Sequence, residues 1–231
     1  CIILLIIKKN LLTLFKLLLM KPLGKVYNLF SQVFYASTID NISLAPIAKY
    51  LDKEDFKKVG YGLANQTTAA STSIGSTHHV LNLKKFKKLK ERLLQEFYYF
   101  KNEYLKYTNT DFCITTSWIT KSSPGEASHI HNHRNCFYSG IFYLQVPPNS
   151  GEICFENYHE TNYIKLTASE YNIHNSSHHT MMPRNGTILF FPSMVHHRIL
   201  TNNSEEVRYS LAFNIMPKGQ VGEGDSFHEF N

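Results

Sequence analysis

The sequence predicts a mainly β fold, a barrel or sandwich, preceded by helices. Three observations carry this. From Asp111 onward, short β-rich runs are separated by turn clusters with no helical pattern between them. The clearest amphipathic helix lies before those runs. A chain of 231 residues, 43% hydrophobic and 13% aromatic, holds enough apolar material for a real core. Its 26.7 kDa suits one domain with decoration.

In chain order, residues 1–25 read as an apolar N-terminal extension, 26–110 as a helical support region and 111–231 as the β core. The extension is broken by Lys8, Lys9 and Lys16, well short of the roughly 18 uninterrupted apolar residues that a spanning helix needs. It lacks the basic start and small-residue cleavage site of a signal peptide. Met20 is the expected start, with residues 1–19 either upstream translation or a weak interfacial helix. Asn41 to about Tyr61 suggests a short helical region, and residues 62–80 a small, polar loop. Phe86, Leu89, Leu93, Leu94, Phe97, Phe100, Tyr104 and Leu105 then recur at three- and four-residue steps. That spacing predicts a helix from about Leu83 to Tyr107, its apolar stripe against a sheet.

The net charge of +6 comes largely from lysine. Lys84, Lys85, Lys87, Lys88 and Lys90 fall on this helix and read as a solvated face, so no nucleic-acid or membrane partner is expected. Strands are predicted at Phe112–Ile119, Gly140–Val146, Glu152–Phe155, Thr187–Phe191 and Arg208–Ile215. Turns fall at Ser122–Gly125 and Pro147–Gly151, and residues 157–185 read as a polar loop inserted over the site. Cys1, Cys113, Cys136 and Cys154 form no Cys-x-x-Cys pair. This excludes a zinc ribbon or disulfide framework and suits a reducing compartment, the cytoplasm.

The chemistry lies in two histidine clusters. In His129-Ile130-His131-Asn132-His133, alternate residues of an extended strand share a face roughly 6.6 Å apart. Two such imidazoles can converge on one metal, and a third from a neighbouring strand can close the face. The second cluster is His196-His197, and since adjacent strand residues face opposite ways, only one of that pair can join. Imidazole suits iron, zinc, copper or nickel. Arg208, one strand further on, is the cation that a bound dicarboxylate would need. With 12 histidines in the chain some clustering is expected, and His78-His79 and His178-His179 read as surface loop pairs. A lone strand histidine is usually structural. The alternating triplet, the second cluster and the arginine together favour a metal. No Gly-x-Ser-x-Gly elbow is present, which argues against a hydrolase.

His131-Asn132-His133-Arg134-Asn135, followed by Tyr138-Ser139-Gly140-Ile141-Phe142-Tyr143-Leu144, resembles the His-x-His-Pro-Asn…Ser-Gly-Val-Tyr-Tyr-Leu block of 2-oxoglutarate/Fe(II)-dependent oxygenases of bacteria and their phages. Pro148-x-Ser150-Gly151-Glu152, Asn185 to Ser193, His197 and Glu206 to Asn214 resemble the segments that follow, so the likeness covers about residues 111–220. It implies a double-stranded β-helix (jelly-roll) with an iron centre in its mouth. By this resemblance His131 and His197 are iron ligands, and Arg208 and Ser210 grip the far carboxylate of 2-oxoglutarate. The position usually held by a carboxylate is His133, taken here as the third ligand. The alternative keeps two histidine ligands and places His133 behind them. Glu126 and Glu152 lack the spacing to serve.

The implied activity is a dioxygenase using Fe(II), 2-oxoglutarate and dioxygen, hydroxylating an unidentified substrate while 2-oxoglutarate becomes succinate. No separate acid or base is required. The rivals are a cupin-like metal-binding jelly-roll without 2-oxoglutarate, which has no need of Arg208-x-Ser210, and a metal-free jelly-roll.

Overall fold

A computed structural model describes residues 25, 27–28, 31–40, 42, 45–51, 56–58, 71–72, 78–108, 110–157 and 166–230. The apolar extension before residue 25, the expected start at Met20 and most of the 62–80 loop lie outside the described residues. The chain divides into residues 1–32 and a compact unit, Val33–Asn231, which holds all the elements below.

In order these are β1 (Tyr35–Thr38), α1 (Ala45–Leu51), β2 (Lys57–Lys58), β3 (Ser71–Thr72), α2 (Lys87–Phe100), β4 (Asp111–Ser122), β5 (Tyr138–Gln145), β6 (Ile153–Glu156), β7 (His178–Met181), β8 (Thr187–Pro192), β9 (His197–Ile199), β10 (Arg208–Val221) and β11 (His228–Phe230). Two 3₁₀ turns, Val80–Asn82 and Lys84–Phe86, lead into α2, and a π turn, Lys101–Leu105, ends it. Among the described residues no helix is long and apolar enough to cross a membrane.

The strands form two sheets. The larger runs β1-β8-β5-β10-β4-β3-β2, with β11 on the far end of β10, and the smaller runs β7-β6-β9. Every pairing within them is antiparallel. Strand alternation sorts the apolar residues into two cores. Leu211, Phe213 and Ile215 of β10, with Phe142 of β5 and Phe190 of β8, pack on Leu93, Phe97 and Phe100 of α2. On the opposite face, Ile141, Tyr143, Leu189 and Phe191 meet Ile153 and Phe155 of the smaller sheet. β5 contributes to both cores and is buried along all but its last residue, the central strand its sequence suggests.

Four differences from the sequence reading have physical causes. Tyr104 is 61% exposed although the spacing places it on the helix stripe. The wider π turn rotates less per residue than an α turn, so the residue four beyond Phe100 swings off the stripe. His178 and His179 belong to β7 and not to a loop, at an exposed edge where the strand buries little. The inserted loop therefore ends at β7, and its residues 158–165 lie outside those described. β1 and β9, at four and three residues, are too short to show an alternation in sequence.

Gly140 sits where β5 passes under the Phe213 ring, and a methyl group there would overlap that ring. Because Phe213 is fully buried, it has no space to yield. Gly140→Ala should therefore cost about 1–3 kcal/mol by overpacking. At roughly 2–4 °C per kcal/mol for a domain of this size, thermal melting should show a drop of several degrees; an unchanged midpoint would mean the ring relaxes freely.

Candidate metal centre and cosubstrate pocket

Beyond β9 the smaller sheet gains one more extended segment. His131 N–H donates to His197 O at 2.9 Å and His197 N–H to His131 O at 2.9 Å, while Ser128 N–H reaches Ile199 O at 3.0 Å. Such a reciprocal antiparallel pair places both side chains on one face. His133, two residues on, shares that face and is anchored through its N–H to Ser193 O at 2.9 Å. Ring centroids stand 4.4 Å apart for His131–His197, 5.3 Å for His131–His133 and 5.2 Å for His133–His197. One ring nitrogen from each lies within 4.8 Å of the other two.

The hydrogen bonds point to which nitrogens are free. Nδ1 of His131 meets His129 O at 2.8 Å and Nδ1 of His197 meets Val195 O at 3.0 Å. Nδ1 of His133 meets Asn214 Oδ1 at 2.8 Å. All three partners are acceptors, so each Nδ1 carries the proton and each Nε2 keeps its lone pair, the form that ligates a metal. Burial reinforces this by opposing the imidazolium. It lowers the His131 pKa, pushes His133 down to about 4 and holds His197 well below the usual histidine range.

His129 lends the cluster its carbonyl and not its ring. His196 also stays outside, its Nε2 3.5 Å from Asn132 Nδ2. Glu126 accepts from Ser123 N–H at 2.7 Å and fastens the turn after β4, and no carboxylate joins the group among the described residues.

On the larger sheet, Arg208 and Ser210 share one face of β10 with Asn214, the residue that meets His133. Arg208 is 1% exposed; its Nη1 donates to Gly151 O at 3.1 Å and Ser150 O at 3.3 Å, and its Nε has no partner. The turn that supplies those carbonyls needs Gly151, which has φ +93° and no room for a side chain against Leu200 O. Tyr143, opposite Ser210 in register, has its hydroxyl buried without a partner, as has Ser150. Burial raises the Tyr143 pKa to about 12, so the phenol stays a neutral donor; it lowers that of Arg208, yet a guanidinium starts so high that it keeps its charge. No carboxylate pairs with Arg208 among the described residues. A buried cation with unused donors beside it is costly unless an anion completes it. The donor set fits one carboxylate of a small dicarboxylate, as three neutral imidazoles fit a divalent transition metal. Sequence reasoning missed Tyr143, Ser150 and Asn214. Tyr143 reads as core, and only its cross-strand register with Ser210 reveals its role.

The jelly-roll thus carries three clustered histidines that could hold a metal ion, and a fully buried arginine. Residues 116–214 match the family model described as "Putative 2OG-Fe(II) oxygenase", and that match indicates a 2-oxoglutarate/Fe(II)-dependent oxygenase with Fe(II) and 2-oxoglutarate as cofactor and cosubstrate. Solved structures share the fold at low identity. A 2OG-Fe(II) oxygenase family oxidoreductase from Burkholderia pseudomallei is 14% identical with a TM-score of 0.52, covering 75% of this chain and 77% of that one. HygX from Streptomyces hygroscopicus, solved with nickel, 2-oxoglutarate and hygromycin B, is 13% identical with a TM-score of 0.55, covering 80% and 83%. A Pseudomonas putida prolyl-4-hydroxylase is 14% identical with a TM-score of 0.53, covering 80% and 93%. A sequence search of curated proteins returns no match.

The depressed histidines give a pH dependence with a definite sign. As pH falls below about 6.5, the unfolded chain takes up protons that folded His131, His133 and His197 refuse. Stability of the metal-free protein should therefore be full above this range and decline as pH drops toward the His133 value of about 4. Thermal melts from pH 7.5 to 4.5 should show a falling midpoint, and a flat profile would mean the imidazoles are protonated in the fold.

Proposed function

We propose that the protein hydroxylates a C–H bond of its substrate with one oxygen atom of dioxygen, the other atom entering the succinate formed when 2-oxoglutarate loses carbon dioxide. In this reading His131, His133 and His197 hold Fe(II), and Arg208, Ser210, Tyr143 and Ser150 hold the far carboxylate of 2-oxoglutarate. Bound Fe(II) supplies the activation of dioxygen coupled to oxidation of the cosubstrate. The chain's own groups bind and orient. Arg208 supplies a planar, charged donor set, the Tyr143 hydroxyl adds a neutral donor, and Phe191, edge-on to His197, with Phe155 tilted beside it, keeps bulk water from that side.

The observation that carries this reading is the fully buried Arg208, with its Nε unpartnered and no carboxylate paired to it among the described residues, on the β10 face whose Asn214 meets His133. It also weighs against a cupin-like metal protein without 2-oxoglutarate, which would bury that cation for nothing. The free thiols of Cys113, Cys136 and Cys154 support a reducing, cytoplasmic setting.

Anaerobic titration of the protein with Fe(II) and 2-oxoglutarate should develop a metal-to-ligand charge-transfer band at one iron per chain. Alanine at His131 or His197 should abolish it with the far-UV spectrum unchanged. Absence of the band in the parent protein would end the oxygenase reading. With Fe(II) bound in each variant, Arg208→Ala should weaken 2-oxoglutarate by two to four decades, from about 3–5 kcal/mol for a broken buried pair. Arg208→Lys should recover part of this. Tyr143→Phe, losing one hydrogen bond to a charged group, should cost roughly tenfold to a hundredfold. Equal 2-oxoglutarate affinity in Arg208→Ala and the parent would place the cosubstrate elsewhere.

A further inference from the structure

Two of the three clustered histidines are oriented by main-chain carbonyls, His131 by His129 O and His197 by Val195 O. Those acceptors cannot rotate. His133 differs, because its Nδ1 is met by a side chain from the other sheet, Asn214 Oδ1 at 2.8 Å. An amide has a donor end and an acceptor end, so its use as an acceptor requires that its orientation be fixed. Asn214 Nδ2 donates to Thr116 Oγ1 at 2.9 Å, and Thr116 is its cross-strand neighbour on β4. The β4–β10 register slips immediately after this pair, between Asn214 and Ile215. Irregularities of this kind re-aim a side chain beside a site. The Trp118 ring, 5.4 Å from that of His133, holds the imidazole plane but does not distinguish its two nitrogens.

The distinction matters because a neutral imidazole in water favours the tautomer with its proton on Nε2. In that form His133 would aim an N–H at the centre of the cluster in place of a lone pair. Asp or Glu at the same position would face no such choice, since both carboxylate oxygens are acceptors. We infer that Asn214 is a positioning residue that selects the Nδ1–H tautomer of His133, and that Thr116 sets the direction of the Asn214 amide. The pair makes a histidine usable where a carboxylate would need no help. The inference rests on the reading of His133 as a metal ligand, but its first readout needs no metal.

Long-range ¹H–¹⁵N spectra of the metal-free protein, with labelled histidine, report each tautomer. His133 should be Nδ1–H in the parent and in Asn214→Asp, which keeps an acceptor at the same reach, and should turn to Nε2–H in Asn214→Leu. Co(II) alone then serves as the metal probe. Asn214→Leu should weaken it about tenfold to a hundredfold, in the range of lost outer-shell hydrogen bonds. Asn214→Asp should stay within a few-fold of the parent, and Thr116→Val, which releases the amide to flip, should fall between. If Asn214→Leu does not fold by far-UV dichroism, Asn214→Ser, too short to reach the ring, takes its place.

An Nε2–H signal for His133 in the parent would mean the amide points the other way and would overturn the inference. So would parent-like Co(II) affinity in Asn214→Leu or Asn214→Ser. Failure of the metal reading gives a different pattern: the parent binds no Co(II), or His133→Ala binds it as tightly as the parent, while the tautomer signals are unaffected.

Discussion

The alternation of side chains along β10 is the constraint on which the rest of the structure depends. Between Arg208 and Ile215 the residues at odd positions, Leu211, Phe213 and Ile215, enter the core against α2. Those at even positions, Arg208, Ser210 and Asn214, face the cavity. β10 is paired on both sides, with β4 and β5, so the parity cannot slip without breaking two ladders at once. The apolar packing of one face thereby fixes the chemical register of the other. A one-residue shift would bury Arg208 against phenylalanines and turn Phe213 toward the histidines.

The smaller sheet contributes the metal-facing groups through a different device. His131 and His197 are locked by two reciprocal main-chain hydrogen bonds, so their separation follows from backbone geometry. Their side chains then need only a tautomer and a ring angle, which nearby carbonyls supply. With three neutral imidazoles and no carboxylate in the group, a divalent ion keeps its full charge in the cavity, and Arg208 adds another. A dianionic cosubstrate offsets much of this, which couples the two halves of the site electrostatically. The usual arrangement of two histidines and one carboxylate depends less on the cosubstrate for that balance.

Much of this was legible in the sequence, and the gaps have physical reasons. The five strands predicted from β-rich runs all exist, because each is long enough to alternate or fully buried. β1, β2, β3, β7, β9 and β11 escaped notice because two to four residues carry no period, and β7 is exposed. The histidine cluster was readable because spacing of two on a strand is itself geometry; parity admitted only one of His196 and His197, and the family resemblance chose His197. Tyr143, Ser150 and Asn214 were not readable. A polar residue in a buried strand has the sequence appearance of core, and its function lies in which cross-strand neighbour it meets. The helix stripe failed only at Tyr104, where a change of helical pitch that leaves no sequence mark shifts the phase.

The two sheets also divide the site by its tolerance of change. Arg208, Ser210, Tyr143 and Asn214 belong to the larger sheet, and Ser150 to the turn held against it by Arg208. That sheet is buttressed by α2 on its other face, so its side chains have little freedom to adapt. The smaller sheet has short strands and an exposed edge at β7, and the segment before that edge displays Leu166, Tyr171 and Ile173 to solvent. Changes in such exposed positions disturb neither ladder of β10 and reach none of the orienting hydrogen bonds. Such exposed positions can vary while the buried pairings of β10 stay fixed. Buried donors that lack a partner hold a fixed geometry for one ligand, whereas exposed loop residues acquire theirs only when a partner meets them.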